Sequence, residues 1–456
     1  MKRKTEILLM LLLAFGCSFT AVARKQELTL EQCWDMALQH SADARNAALD
    51  VKAASLRKQE ALAEYFPTLS LNGVAFHSAS PLVSITMKDV LGNSEMAKQM
   101  IQQATEWART YDVKIRYDAL QHGYAGALTL TQPVYAGGRI VTGNRLAALG
   151  IEAARAQNSL QRRSTRQKVQ KDFYTVQSLL EKIETLASLQ KLLDTLSVEV
   201  NTALSAGLAT QADATAVKIK RSELKAAGSK LDMGLKIARL NLLNTIGAQY
   251  TDPDEFTFVW RESDIVQPQD VYVPEEQAVN SLDEERLLQM QVKARQLEKR
   301  MTLGESLPTV AFGASWGYAR TLSDPRWNGV MYAMLKVPIT DWGKNSRKLQ
   351  RQNIEIQKAE NQREYLGRQL YVHLKMLFME LSGAYDAMMI SRESESLAAL
   401  HLRQLRDGYS AGMNSMEELL RCETEFRQAQ ESRIEATMNY LTALEDYRGE
   451  ISNSQL

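Results

Sequence analysis

The chain has 456 residues, an almost balanced charge and three cysteines, and these quantities exclude several classes of protein. Its 55 Lys and Arg residues against 54 Asp and Glu residues lack the net basic charge that predicts a nucleic-acid partner. Three cysteines do not make a disulfide framework, and no apolar run beyond the N-terminus reaches the roughly 18 residues of a transmembrane helix.

The N-terminus has the pattern of an export signal. Basic residues at 2–4 precede an apolar run at 7–15, and the small residues Ala21 and Ala23 follow it at the spacing of a cleavage site. We therefore predict a signal peptide over residues 1–23. Gly16 before Cys17 leaves lipid attachment at Cys17 open as an alternative.

Two long tracts without proline, 139–252 and 339–456, are rich in residues that favour helix. Each is interrupted near its middle by Ser-Ala-Gly, at 205–207 and at 410–412, and glycine after a long helix favours a reversal. Each tract is thus predicted to be an antiparallel helical hairpin. Its first arm, 139–203, would be roughly 95 Å long at 1.5 Å per residue.

Apolar residues in the first arm follow the spacing of a coiled-coil seam. They alternate steps of four and three, with one slip between Ile183 and Leu186 that resembles a stammer. The seam consists of Val169, Phe173, Val176, Leu180, Ile183, Leu186, Leu189, Leu193, Leu196 and Val200.

The chain contains two copies of one unit. Pro133, Gly138 and the first Ser-Ala-Gly recur 205 positions later, whereas features upstream, such as Pro67-Thr68, recur 241 positions later. Offsets that hold over such distances indicate a duplication. The predicted organisation is a first repeat at 24–250 with an insertion at about 81–122, a linker or equatorial segment at 251–275, and a second repeat at 276–456.

Four stretches alternate apolar and polar or small residues as strands do. They begin near residues 68, 128, 310 and 331, and the last is predicted to run to Thr340. Each has about the 9–11 residues of a tilted transmembrane strand. A small soluble sheet capping a helical bundle remains the alternative. Candidate interfacial anchors are Tyr135, Trp316, Tyr318 and Trp342.

Four strands cannot close a membrane barrel, because an open edge in lipid leaves N–H and C=O groups unpaired. The chain is therefore expected either to pool its strands with identical copies around a symmetry axis or to keep them outside a membrane.

Several segments resemble the TolC-like outer-membrane efflux proteins. They are Leu-Thr-Leu-Glu-Gln at 28–32, Tyr-Phe-Pro-Thr-Leu-Ser at 65–70, Gln-Pro-Val at 132–134, and Gly138 opening a long helix. The paired Ser-Ala-Gly turns resemble the two hairpin tips of that family. The resemblance extends over 28–450.

The resemblance implies an α+β membrane protein that forms a homotrimer. Twelve strands would build one transmembrane β-barrel in outer-membrane lipid, continued by a coiled-coil α-helical tunnel in the periplasm. It also implies a passive, gated conduit of a tripartite efflux system, joined through a periplasmic adaptor to an inner-membrane transporter of RND, ABC or MFS type. The alternatives are the channel of a type I protein secretion system and a structural envelope coiled coil without a pore.

The resemblance also implies two sets of site residues. Adaptor contact is expected at the tips, at Ala206, Gly207, Leu208, Ala411, Gly412 and Met413. A gate is expected at Asp213, Tyr409, Glu418 and Arg421, where Tyr409 would bond across to Asp213 and copies of Glu418 would form an acidic ring. Arg421 stands where a second acid is expected, and Asn414 where a basic linking residue is expected. A solvated surface charge remains the alternative for Glu418.

No pattern in the sequence indicates an enzyme. The histidines at 40, 77, 122, 373 and 401 form no ligand spacing with cysteines or paired acids, and no phosphate-binding glycine loop or nucleophile motif is present. We therefore predict no catalytic, cofactor or metal residues. In the insertion, 93–110 is predicted to be a helix at the cell-surface end, with an apolar face of Met96, Met100, Ile101, Ala104 and Trp107.

Overall fold

The computed structural model describes residues 26–113, 116–119, 122–207, 209–248, 256–258, 265–320 and 326–451. The predicted signal peptide with Cys17, the tip residue Leu208 and much of the predicted linker 251–275 lie outside these ranges. Among the described helices, none combines the length and the apolar character needed to cross a bilayer.

The helices and strands alternate in the order that the sequence repeats predict. The helices are α1 Leu30–His40, α2 Ala42–Ala63, α3 Met87–Leu91, α4 Glu95–Thr110, α5 Arg139–Ser205, α6 Gln211–Thr245, α7 Glu275–Ser281, α8 Asp283–Gly304, α9 Lys344–Ser410 and α10 Met416–Ile451. The strands are β1 Gln26–Leu28, β2 Thr68–His77, β3 Val83–Thr86, β4 Arg116–Ala119, β5 His122–Ala136, β6 Phe256–Phe258, β7 Thr309–Arg320 and β8 Arg326–Lys336, and a 3-10 helix covers Pro268–Val271.

The duplication is visible in the lengths of the helices. Helices α5 and α9 each have 67 residues, and α2 and α8 each have 22. Gly138 and Gly343 precede the two long helices with φ values of +74° and +76°. At about 1.5 Å per residue, each long helix extends roughly 100 Å. The predicted hairpin arms are thus confirmed, and the first arm ends two residues later than predicted.

Two compact units divide the chain, and each takes segments from both repeats. The helical unit comprises Met1–Ala53, Glu152–Met290 and Glu360–Leu456. The strand unit comprises Ala54–Ile151 and Gln291–Ala359. Sequence repeats and compact units therefore differ, since each long helix begins in the strand unit and ends in the helical unit.

The predicted seam of α5 lies in the core of the helical unit. Val169, Phe173 and Val176 are buried in one apolar cluster, and the residues from Leu186 onwards are buried in a second. The slip between Ile183 and Leu186 therefore coincides with the boundary between the two clusters. The second cluster lies closer to the hairpin tips and includes side chains from α6, α9 and α10.

Two tyrosines of α10 hold the segment around the 3-10 helix. The hydroxyl of Tyr440 accepts a hydrogen bond from the backbone N–H of Val266 at 2.9 Å and donates to the carbonyl of the same residue. Seven residues further along, the hydroxyl of Tyr447 does the same with Val273, at 3.1 and 3.4 Å. Both tyrosine rings are buried, so this segment is fixed to the helical unit.

The strand unit contains one antiparallel sheet of four strands in the order β2-β5-β7-β8. Its register places apolar and aromatic side chains on one face, where Leu71, Leu128, Trp316 and Gly329 are successive neighbours across the strands. The other face carries polar and small residues, such as Thr129 paired with Ser315. The predicted alternation is confirmed.

Aromatic side chains gather at one end of the apolar face. The rings of Trp316 and Trp327 stack with their centroids 6.1 Å apart, and Tyr318 lies 5.3 Å from Trp327. Tyr135 pairs with Val310 at the opposite end, beside a bulge that begins at Pro133. A bulge accommodates Pro133, which has no N–H to donate to the ladder.

The end of β8 differs from the prediction. The alternating pattern predicts a strand through Thr340, whereas β8 ends at Lys336. Pro338 cannot donate a backbone hydrogen bond, so pairing stops before it. Trp342 follows with φ +56° and is 93% exposed, which fits its predicted place as an exposed aromatic residue.

The insertion contains α3, α4 and the paired strands β3 and β4. Helix α4 agrees closely with the predicted helix, and the Ser94 side chain caps its first turn by accepting from the N–H of Ala97. Its predicted apolar face is not the packed one: Met96, Met100 and Trp107 are exposed, and the buried residues are Ala97 and Ala108. Small side chains let the backbone approach its neighbours, while the large ones remain available at the surface.

Candidate functional site: the hairpin tips

The two hairpin tips have the same backbone geometry. Gly207 and Gly412 both have φ +74°, the left-handed conformation that commonly ends a helix. In the second tip, the N–H of Gly412 donates to the carbonyl of Tyr409 at 2.9 Å, and that of Met413 to Gly408 at 2.8 Å. A Cβ at either tip glycine would meet no atom of this chain within 4 Å. Glycine is thus required there by the backbone angle and not by internal packing.

Asp213 caps the helix that follows the first tip. Its carboxylate accepts from the N–H and the hydroxyl of Thr210, at 2.9 and 2.7 Å, while its own N–H donates to the Thr210 hydroxyl at 3.2 Å. This is a complete capping box at the start of α6. The hydrogen bonds from Thr210 lower the pKa of Asp213, so the carboxylate is charged at neutral pH.

Glu418 occupies the equivalent position in the second tip. Its carboxylate accepts from the N–H of Ser415 at 3.0 Å, and its own N–H donates to the Ser415 hydroxyl at 3.2 Å. These bonds lower the pKa of Glu418, chiefly through the backbone N–H, with a smaller contribution from the charge of Arg421. Glu418 is exposed, and a charged carboxylate here also favours the positive end of the α10 dipole.

Tyr409 lies between the tip and the core. Its side chain is partly buried against the second apolar cluster. Burial raises its pKa most, and the charges of Asp213 and Glu199 raise it further, so both carboxylates lie near its hydroxyl. The structure therefore brings Tyr409 close to Asp213, while the hydrogen bonds of that carboxylate run to Thr210.

The two positions that depart from the family pattern have contacts of their own. The amide of Asn414 donates to the carbonyl of Leu405 at 3.3 Å and packs directly against Gly408, where a Cβ would collide with it. Asn414 therefore helps to end α9. Arg421 is largely exposed and pairs with Glu425 at 3.8 Å.

A buried ion pair joins the two hairpins a little further from the tips. Lys220 of α6 contacts Glu423 of α10, whose side chain is only 2% exposed. Sequence reasoning missed this pair, because each residue stands in an ordinary charged helix and nothing in the spacing shows that they meet. Burial raises the pKa of Glu423, and the charge of Lys220 opposes that rise.

Residues 276–448 match the family model described as "Outer membrane efflux protein". Solved structures match over nearly the whole chain. VceC, an outer membrane protein from Vibrio cholerae, is 14% identical with a TM-score of 0.69, and the match covers 92% of this chain and 95% of that one. The CmeC outer membrane channel of Campylobacter jejuni is 10% identical with a TM-score of 0.71, over 93% and 86%.

The open-state MtrE outer membrane channel of Neisseria gonorrhoeae is 15% identical with a TM-score of 0.68, over 92% of this chain and 88% of that one. No curated protein sequence matches the chain. The predicted resemblance to the TolC-like outer-membrane efflux proteins is confirmed, by the family match in the second repeat and by a shared fold in the whole chain.

Proposed function

We propose, from the family match over 276–448 and the fold shared with outer-membrane channels, that this chain is the channel subunit of a tripartite efflux system. It would be a passive conduit, with its helical part in the periplasm and its sheet in the outer membrane. Export would be driven by an inner-membrane transporter of RND, ABC or MFS type, linked to the channel by a periplasmic adaptor.

The four-stranded sheet supports a homotrimer. One of its faces is apolar, and β2 and β8 form its two edges with no neighbouring strand among the described residues. Edge strands of 10 and 11 residues leave a row of backbone N–H and C=O groups without partners, which lipid does not tolerate. Pairing β8 of one copy with β2 of the next would satisfy them, and three copies would close a twelve-stranded barrel.

The open space around the tip glycines supports the adaptor contact. Ala206, Gly207, Ala411, Gly412 and Met413 are all exposed. Because no atom of this chain lies near the missing Cβ of either glycine, a partner backbone can approach closely. Leu208, the remaining proposed contact, lies outside the described residues.

The acidic residues of the tips support a gate. Three copies of Glu418 around a symmetry axis would form a ring that favours cations, and Arg421 would partly neutralise it. Tyr409 beside Asp213 would hold the closed position, since the charge of Asp213 already acts on its hydroxyl. Opening would move the second hairpin away from the first and break this contact.

A planar-bilayer measurement on detergent-extracted, full-length protein tests the proposed function. We expect an oligomer whose electrophoretic mobility changes on heating, and discrete conductance steps in the bilayer. The double variant Tyr409→Phe and Asp213→Asn should increase conductance, because it weakens the proposed lock. A monomer without conductance would contradict the channel and favour a structural coiled-coil protein of the envelope.

A further inference from the structure

Three side chains that can bind metal ions meet in the second hairpin. They are His401 on α9 and Cys422 and Glu425 on α10, and their ligand atoms all lie within 4.8 Å of one another. Cys422 is buried at 2% exposure, whereas His401 and Glu425 are exposed. The group therefore lies at the margin of the second apolar cluster, with its thiol inside and its other two ligands facing solvent.

The hairpin explains why these residues meet. His401 precedes Gly412 by about as many residues as Cys422 follows it, so the two lie at the same level on antiparallel arms. Cys422 and Glu425 are three residues apart on one helix and share a face. Spacing along the sequence could not reveal the group, because its histidine comes from the opposite arm.

The ligand types fit a borderline transition-metal ion. Thiolate, imidazole and carboxylate are the ligands that zinc takes in proteins, and three protein ligands leave the fourth tetrahedral position to water. Mg²⁺ and Ca²⁺ prefer sites made of oxygen atoms alone. Bonds of 2.0–2.3 Å would draw the ligand atoms to about 3.5 Å apart. Rotamer changes of the exposed His401 and Glu425 side chains can supply that contraction.

Competing contacts at the site are weak. Glu425 also pairs with Arg421 at 3.8 Å, but the two side chains are 54% and 72% exposed. Such a surface pair contributes little free energy, so a metal ion can displace it. On binding, the Sγ–H bond of Cys422 breaks, its proton passes to solvent, and the sulfur lone pair coordinates the ion without any redox change.

We propose that His401, Cys422 and Glu425 form a Zn²⁺ site that ties the two arms of the second hairpin together near its tip. The site is independent of the channel proposal, since it requires only the fold of one hairpin. A bound ion would cross-link α9 to α10 and hold the arms in register just behind Gly412.

Cobalt provides the direct test on full-length protein in detergent, because a thiolate bound to Co²⁺ gives a charge-transfer absorption band. We expect this band in the unmodified protein and its loss in Cys422→Ser. The matched control Cys33→Ser, which removes the other buried free thiol, should retain it. A band that is absent from the unmodified protein, or that persists in Cys422→Ser, would overturn the proposal.

Zinc titration by calorimetry tests the second ligand. His401→Ala should weaken Zn²⁺ binding by roughly tenfold or more, since even residues that merely support metal ligands cost 10–100-fold when removed. His373→Ala changes an exposed histidine on the same helix and should leave the affinity unchanged. Equal affinities for the two variants would remove His401 from the site. Excess Zn²⁺ should also raise the Tm of the unmodified protein but not of Cys422→Ser.

Discussion

The Nζ atom of Lys220 on α6 lies 3.6 Å from a carboxylate oxygen of the buried Glu423 on α10. Lys220 also donates to the hydroxyl of Thr424 at 2.6 Å. This contact is polar and joins the second arms of the two hairpins inside the helical unit. A movement of one hairpin against the other must therefore either break the pair or carry both residues along.

Lys220→Met should destabilise the helical unit. Removing one partner leaves the other charge buried without compensation, and we expect a loss of about 2–3 kcal/mol in the free energy of unfolding at neutral pH. Guanidinium unfolding followed by circular dichroism measures it. Arg221→Met is the matched control, because Arg221 pairs with Asp194 at 2.7 Å at the surface, where such pairs contribute about 0–1 kcal/mol. Equal losses in the two variants would contradict a special role for the buried pair.

The pH dependence of stability should report on Glu423. Its pKa in the folded protein is raised, so the proton binds the folded chain more tightly than the unfolded one. Its contribution to stability is therefore fully present below the unfolded pKa of 4.5 and is lost as the pH rises through the folded pKa. Glu423→Gln imitates the protonated form. The variant should exceed the unmodified protein in Tm at neutral pH, and the difference should disappear towards pH 4.5. A constant difference would contradict the assignment.

Glu418→Gln separates the capping role of this residue from its charge. Glutamine can still accept from the N–H of Ser415, so the helix start should remain stable. The proposed acidic ring, however, loses its charge, and the cation preference of the conductance should decrease. Glu417→Gln changes the neighbouring exposed acid and should leave the selectivity unchanged. Ser415→Ala should instead cost about 1 kcal/mol of stability, because it removes the cap.

Asparagine at the tip glycines tests adaptor contact without breaking the turn. Asn tolerates the left-handed conformation better than other side chains, so Gly207→Asn and Gly412→Asn should fold with little loss of stability. The added side chain should nevertheless reduce efflux-dependent resistance in cells that carry the partner pump.

Gly138→Asn and Gly343→Asn are the matched controls for the tips. These glycines have the same φ and equally open surroundings, but they precede the long helices instead of following them. Their resistance should be unchanged. If all four variants lose function alike, the effect is one of backbone strain and not of a partner.

Local sequence signals predicted most of the fold. Gly138, Gly207 and their repeats mark the ends of the long helices because only a few residues adopt positive φ easily. The strand unit followed from side-chain alternation, although Pro338 ended β8 early. The pair of Lys220 with Glu423 and the group around His401 could not be predicted, because both depend on which faces of separate helices meet. In α4, alanine and not methionine packs inward, since tertiary packing there favours close approach.

The equal length of α5 and α9 limits how this chain can change. One inserted residue turns everything beyond it by about 100° around the helix axis and advances it by 1.5 Å. An insertion in α5 between the seam and Gly207 would therefore point Leu193 and its neighbours away from the cluster they share with α9 and α10. Insertions of whole heptads preserve the facing side chains, but only if both helices receive them. We expect viable length variants to occur in matched pairs, with the two halves of the gene bound to evolve in step.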